Sequence, residues 1–200
     1  MELTLQLGIV AAFVQAAAFA LYSRNIFLDK AQPNTSTWSL WTFLTLLNAS
    51  SYWLMTADLA KYALPIISAV ATIGTFGTSL IMGKFKRMDP YELLVLAIGM
   101  MAGFVWWWYQ SAIYANLIVV AAVAIAFIPL YRGVWKNSAL EKPLPWCMWT
   151  IAYGMLTIVV CLRWNDQYQD IVYPVSMFFL HLAVGLLTLR KAPSTERGLY

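Results

Sequence analysis

Two hundred residues, 62% of them apolar and only 11% charged, are too apolar for a water-soluble globule, since soluble domains run at roughly 45–50% apolar and about 25% charged. The formal charge of +4 needs no nucleic-acid partner, because the charges gather in short clusters between apolar runs. Those runs are about 20 residues long, the length that crosses a hydrocarbon core roughly 30 Å thick. Their lack of alternation excludes a β-barrel, which leaves membrane-spanning helices as the way to satisfy the backbone in lipid.

The pattern predicts seven helices, near 5–22, 37–57, 63–83, 91–109, 112–131, 146–162 and 172–190. The chain starts MELTLQLG, with an acid where a signal peptide carries positive charge, so the first run reads as a retained helix. It holds Gln15. The second helix brings Trp38, Trp41 and Asn48. The third carries Pro65, Ser68, Thr72, Thr75 and Ser79 at spacings of 3 and 4, which puts them on one face. That stripe is either the wall of a polar path or a close-packing surface, to which Gly74 and Gly77 would add. The fourth helix has a Gly99/Gly103 pair, suited to packing within the monomer or in a homodimer, and ends in Trp106, Trp107, Trp108 and Tyr109. These tryptophans, with Trp53 and Trp164 at the same end and Trp38 and Trp146 at the other, suit interfacial belts.

Asn116 opens the fifth helix near its outer end, where water can reach it. The sixth carries Trp146, Trp149, Cys147 and Cys161, and the cysteines, roughly 20 Å apart along one helix, cannot pair. The seventh carries Pro174, Ser176 and His181, the only histidine. Pro65 and Pro174 fit first-turn positions, where proline is harmless. His181 is either a ligand-binding or proton-accepting group, or a neutral histidine bonded between helices. Asn48 likewise either binds a polar ligand or knits helices together. No catalytic pair, metal cluster or cofactor motif is present in the sequence, and the seventh helix has no mid-membrane Lys for a Schiff base. Asp58, Asp166 and Asp170 fall in predicted outer loops and Glu92 at a helix start, which favours facilitated diffusion over tight proton coupling.

Seven spans put Arg24, Lys30, Lys84, Lys86, Arg87, Arg132, Lys136, Lys142, Arg190, Lys191 and Arg197 on one face and only Lys61 and Arg163 on the other. By the positive-inside rule the first face is cytoplasmic, with the N-terminus outside and the C-terminus inside. The cluster KFKR at 84–87 can also meet anionic lipid.

The chain also repeats itself. LYSRNIFLDKAQPNTSTWSLWT, from Leu21, aligns with LYRGVWKNSALEKPLPWCMWT, from Leu130. The pairs Trp38/Trp146, Trp41/Trp149, Phe19/Phe127, Pro65/Pro174, Ser68/Ser176 and Gly77/Gly185 recur at an offset of 108 or 109. An offset of four helices keeps both copies in the same orientation. The expected architecture is therefore an all-α membrane protein of seven transmembrane helices, two parallel three-helix repeats joined by a linker helix. The first repeat covers 1–90, the linker helix 91–110, and the second repeat with its tail 111–200.

This 3+1+3 arrangement resembles the SWEET sugar transporters and the wider PQ-loop membrane family. Ile128-Pro129-Leu130-Tyr131 looks like a degenerate PQ-loop motif, with Leu130 in the place of the Gln. QPNTSTWSLW is similar to the Pro-x-x-x-x-Trp loop of bacterial seven-helix relatives, although Ala20 stands where a Pro would sit. The resemblance implies a transporter or facilitator in a bacterial inner membrane, two three-helix bundles rocking about a central site. It also implies that the third and seventh helices bind the solute. Ser68, Thr72, Ser176, His181, Asn48, Trp41 and Trp149 are the expected substrate-binding residues. Expected partners are membrane lipid, a small polar solute, and a homodimer or larger membrane complex. The alternative is a non-transporting receptor or accessory subunit, since fold alone does not decide function.

Overall fold

The computed structural model describes residues 2–28, 35–82, 87–88 and 90–190. Among these the chain is all helical: α1 Glu2–Phe27, α2 Thr35–Thr56, α3 Leu59–Met82, α4 Pro90–Tyr109, α5 Ala112–Lys136, α6 Pro143–Leu162 and α7 Gln169–Thr188, with a 3-10 turn at Ser138–Leu140. Of these helices, α1 and α3 to α7 are long and apolar enough to cross a membrane. The exception, α2, is long enough but diluted by hydroxyls. It makes them compatible with an apolar setting by folding them back onto its own carbonyls: Thr42 onto Trp38 O, Thr45 onto Thr42 O, Ser51 onto Asn48 O and Thr56 onto Tyr52 O. Large apolar side chains such as Phe13, Ile81, Phe104 and Phe179 are exposed around the outside, the surface a lipid solvent requires.

Six helices close into a ring. Helix α3 packs between α1 and α2, α7 packs between α5 and α6, and the two groups join where α1 meets α6 and α2 meets α5. Helix α4 stands outside, against α5 and the edge of α2. Two ends are therefore distinguishable. The basic end holds Arg24, Arg87, Arg132, Lys136, Lys142 and Arg190; Lys30, Lys84, Lys86, Lys191 and Arg197, and most of KFKR, lie outside the described residues. The opposite end holds Lys61 and Arg163, and each is paired with a carboxylate. Its α2–α3 and α4–α5 turns are only two residues long. Ala57 and Gln110 adopt φ of 47° and 51° there to reverse the chain, a left-handed conformation that side chains other than glycine resist.

Several helices outrun the sequence expectation by about a turn. α3 begins at Leu59 and α7 at Gln169, so Pro65 and Pro174 lie inside their helices and not in the first turn. A proline has no N–H and leaves the carbonyl four residues earlier without its helical partner. Those carbonyls belong to Lys61 and Asp170.

The glycines also divide differently from expectation. Gly99 faces the Phe43 and Leu44 side chains of α2, so it packs within the chain, whereas a Cβ at Gly74, Gly77 or Gly103 would meet nothing within 4 Å. The close approach is at Gly8, where a Cβ would run into the Ala60 carbonyl of α3. Gly8→Ala should therefore force α1 off α3 and cost about 1–3 kcal/mol, the usual range for overpacking. Gly103→Ala should be neutral. Thermal unfolding of the purified protein in detergent checks both, and equal midpoints for the two variants would refute the contact.

Candidate functional site

The ring encloses a cavity of about 740 Å³. It runs from Asn48, Ser68 and Tyr173 in the middle of the bundle to Arg87 and Leu140, both exposed, at the basic end. Of the residues expected at the site, Trp41, Asn48, Ser68, Thr72, Trp149 and His181 line it. Ser176 does not. It is half-buried on α7, and its neighbour Met177 faces the cavity in its place. The offset of 109 set by Pro65 and Pro174 gives this register, pairing Ser68 with Met177 and Thr72 with His181; the offset of 108 pairs Ser68 with Ser176.

The two readings of the α3 stripe apply at different heights. Ser68 and Thr72 line the cavity, and Thr72 meets Thr45 of α2 at 2.7 Å. Further along, Thr75 meets Ser23 of α1 and Ser79 O accepts from Thr35 of α2, which is packing. All four hydroxyls also bond to their own helix, so none is left bare in an apolar setting.

The amides are built in more firmly than the sequence suggested. Gln15, 1% exposed, donates to Ser68 Oγ at 2.8 Å and Tyr153 OH at 3.4 Å, tying α1 to α3 and α6. Its Oε1 has no partner and belongs to a cavity-lining side chain. Asn116 is not wet but wholly buried, and it donates to Asn48 Oδ1 and Ser51 Oγ, both at 3.1 Å. It therefore bolts α5 to α2.

His181 Nδ1 lies 2.8 Å from Met177 O. A carbonyl only accepts, so Nδ1 carries a proton and Nε2 is left to face outward from that bond. The imidazole sits among Phe127, Trp146, Trp149 and Tyr153, with centroids 4.9–5.7 Å away. Thus the histidine is bonded within its own helix, and it lines the cavity as well. Trp38 and Trp146, expected in an interfacial belt, line the cavity too; Trp107, Trp108 and Tyr109 are exposed as a belt requires. Trp149 Nε1 is buried with no acceptor.

Toward the opposite end, beyond the residues that line the cavity, lies a buried ion pair. Lys61 Nζ of α3 lies 2.6 Å from Asp170 Oδ2 of α7, and the two side chains are 2% and 0% exposed. Asp170 is therefore not a loop acid. Pro174 frees the Asp170 carbonyl, and Tyr52 OH of α2 donates to it at 2.7 Å. Tyr52 also touches Tyr173, which touches Tyr153, so a row of tyrosines roofs the cavity beneath the ion pair. Nearer the surface Arg163 binds Asp58 at 2.6 Å and Thr4 at 2.9 Å, joining the ends of α1, α3 and α6. The sequence expectation missed Lys61, Asp170 and Tyr52. The available signal was that 170 − 61 equals 174 − 65: the two charges share the offset of the two prolines.

Two further acids reach the cavity from the basic end. Glu92 accepts from Thr37 of α2. Glu141 accepts from Trp146 Nε1 at 3.1 Å and Tyr22 OH at 3.5 Å, and burial pushes its pKa up to about 7. Among the described residues no cluster of His, Cys, Asp and Glu could hold a metal ion. Searches against known protein families, characterised proteins and solved structures find nothing that matches this chain.

Removing one partner of a buried pair strands the other charge, at about 3–5 kcal/mol. Lys61→Met should cost about that much, while the swap Lys61→Asp with Asp170→Lys should recover most of the loss. Thermal or denaturant unfolding decides: a swap no better than the single variant would mean that the pairing does not hold α3 to α7.

Proposed function

We propose that the chain is a membrane carrier for a small solute, working by alternating access of two three-helix bundles. The observation that carries this reading is a cavity in mid-bundle with its mouth at one end and a buried ion pair across the other. An outward-facing state follows if Lys61 and Asp170 separate. Such a carrier needs a seal that is strong when closed but can exchange its partners for water when open. A desolvated ion pair meets that need better than a greasy plug, since water compensates separated charges. Pro65 and Pro174 stand one turn inside the seal on the two helices that carry it, and proline is a common site of helix bending.

The bundles are α1–α3 and α5–α7, with α4 as the linker. The matching neighbour order, α3 between α1 and α2 and α7 between α5 and α6, supports the parallel 3+1+3 reading. It also supports a kinship in architecture with the SWEET and PQ-loop families. In this reading the basic end is cytoplasmic, the N-terminus is outside, and a bacterial inner membrane is the setting. The tilting of α3 and α7 about their prolines would open one end as the other closes.

A thermal-stability screen of the purified protein against sugars, nucleosides, vitamins, amino acids and amines, followed by uptake of any stabilising compound into proteoliposomes, tests the proposal. At least one compound should stabilise and be carried. Gln15→Leu and His181→Phe should reduce both effects by roughly tenfold, on the order of one lost polar contact. Ser176→Ala, away from the cavity, should change neither. A compound that binds but is never carried, together with a partner protein that copurifies in fixed ratio, would favour the receptor or accessory-subunit reading instead.

A further inference from the structure

The cavity's walls narrow the chemistry of what it takes, an inference that rests on the carrier reading above. Its basic-end half is aromatic. Tyr22 contacts Trp38 at 5.3 Å and Trp149 at 5.7 Å between centroids, and Trp149 contacts Trp146 at 4.9 Å. All four rings line the cavity. Glu141 is fastened to two of them, through the Trp146 indole N–H and the Tyr22 hydroxyl. It forms no ion pair with any described Lys or Arg. A carboxylate held by neutral donors beside several π-faces is an arrangement that attracts positive charge from two directions, since ring faces carry the negative part of the aromatic quadrupole.

Among the described residues, two buried groups on the cavity wall have no partner: Gln15 Oε1, an acceptor, and Trp149 Nε1, a donor. Of the cationic side chains nearby, Arg132 and Arg190 are directed elsewhere, and Arg87 lines the cavity's mouth. Arg132 lies over the Tyr91 ring and bonds its hydroxyl; Arg190 lies over Trp135 and bonds its carbonyl; and Arg87 is exposed at the rim.

We propose that the solute is a small organic cation with an alkylated ammonium head, set against the faces of Tyr22, Trp38, Trp146 and Trp149 with Glu141 as its counter-charge. A proton and the solute then compete for one carboxylate. Among the described residues the groups near that carboxylate are few. Tyr22 reaches it from α1 and the Trp146 indole from α6; His181 of α7 touches the far side of that indole; Lys142 is exposed on the same connection; and Glu92 and Arg87 stand toward α4. None of the other four is bonded to Glu141 in the way that Tyr22 and Trp146 are, so its charge governs the pH response. With the pKa at about 7, Glu141 is mostly ionised at pH 8 and mostly neutral at pH 6, and cation affinity should fall as pH falls.

Choline and its uncharged isostere 3,3-dimethylbutan-1-ol, with tetraethylammonium as a second cation and glucose as a neutral polyol, make the test. Binding to the full-length protein in detergent is read by tryptophan fluorescence and thermal shift. At pH 8 a cation should bind at least about tenfold more tightly than the isostere, the range of a partly desolvated cation–π site. Its affinity should drop by about tenfold at pH 6, in step with the ionised fraction. Glu141→Gln keeps hydrogen-bonding capacity toward Tyr22 and Trp146, and it should lower cation affinity to the pH 6 level and flatten the profile. The wild-type comparison of choline with its isostere needs no variant, so a misfolded variant does not obscure the outcome. Equal binding of choline and its isostere, or glucose binding in preference to both cations, overturns the cation assignment and leaves the carrier reading standing. Failure of all four probes to bind overturns the cation assignment, and only a further failure of the broad screen to find any carried solute would overturn the carrier reading with it.

Discussion

A lysine and an aspartate buried against each other in a membrane protein constrain everything near them. Taken singly, each is too costly to leave in an apolar interior, and as a pair they hold only at close range. Lys61 and Asp170 meet at 2.6 Å, so their side chains bridge α3 and α7 at the opposite end of the bundle. The two helices do not pack on each other, because α3 packs between α1 and α2, and α7 between α5 and α6. The pair is therefore a side-chain link across the ring, from one group of helices to the other.

The prolines make that arrangement chemically consistent. Pro174 removes the N–H that would have bonded the Asp170 carbonyl, and Tyr52 fills the vacancy from α2. A single residue of α7 thus contacts α3 through its side chain and α2 through its backbone. Tyr52, Tyr173 and Tyr153 then line up beneath it to the Gln15–Ser68 contact at the cavity's inner end. Loss of the ion pair would be felt along this row, because each member is packed on the next.

Much of this was legible in the sequence, and the parts that were not have physical reasons. The helices follow from hydropathy, and the six cavity-lining residues expected at the site follow from intramembrane polarity and the repeated Trp41/Trp149. Helix ends were misjudged where a charge or a proline looked like a loop. Lys61 and Asp170 look like loop charges and Pro65 and Pro174 like first-turn prolines, because hydropathy sums residues one at a time and cannot see that two charges cancel across 109 positions. The same blindness hid Asn116, which reads as an outer-end amide until Asn48 and Ser51 are beside it, and Glu141, which reads as a loop acid until Tyr22 and Trp146 close on it. The offset of 108 points to Ser176, one residue short for α7, and on a helix one residue is about 100° of rotation, enough to turn a side chain away from the cavity.

In the carrier reading the cavity opens at the basic end, and Lys61 and Asp170 seal the other. The most direct measurement is the reactivity of a cysteine placed at Thr72, with Cys147 and Cys161 replaced by alanine, toward a charged, membrane-impermeant thiol reagent added to one side of sealed vesicles or the other. With the ion pair intact, the cysteine should react much faster from the basic end; with Asp170→Asn, reactivity from the opposite end should rise. Equal rates from both sides in the paired protein, or no change when the pair is broken, would mean that the ion pair does not close that end.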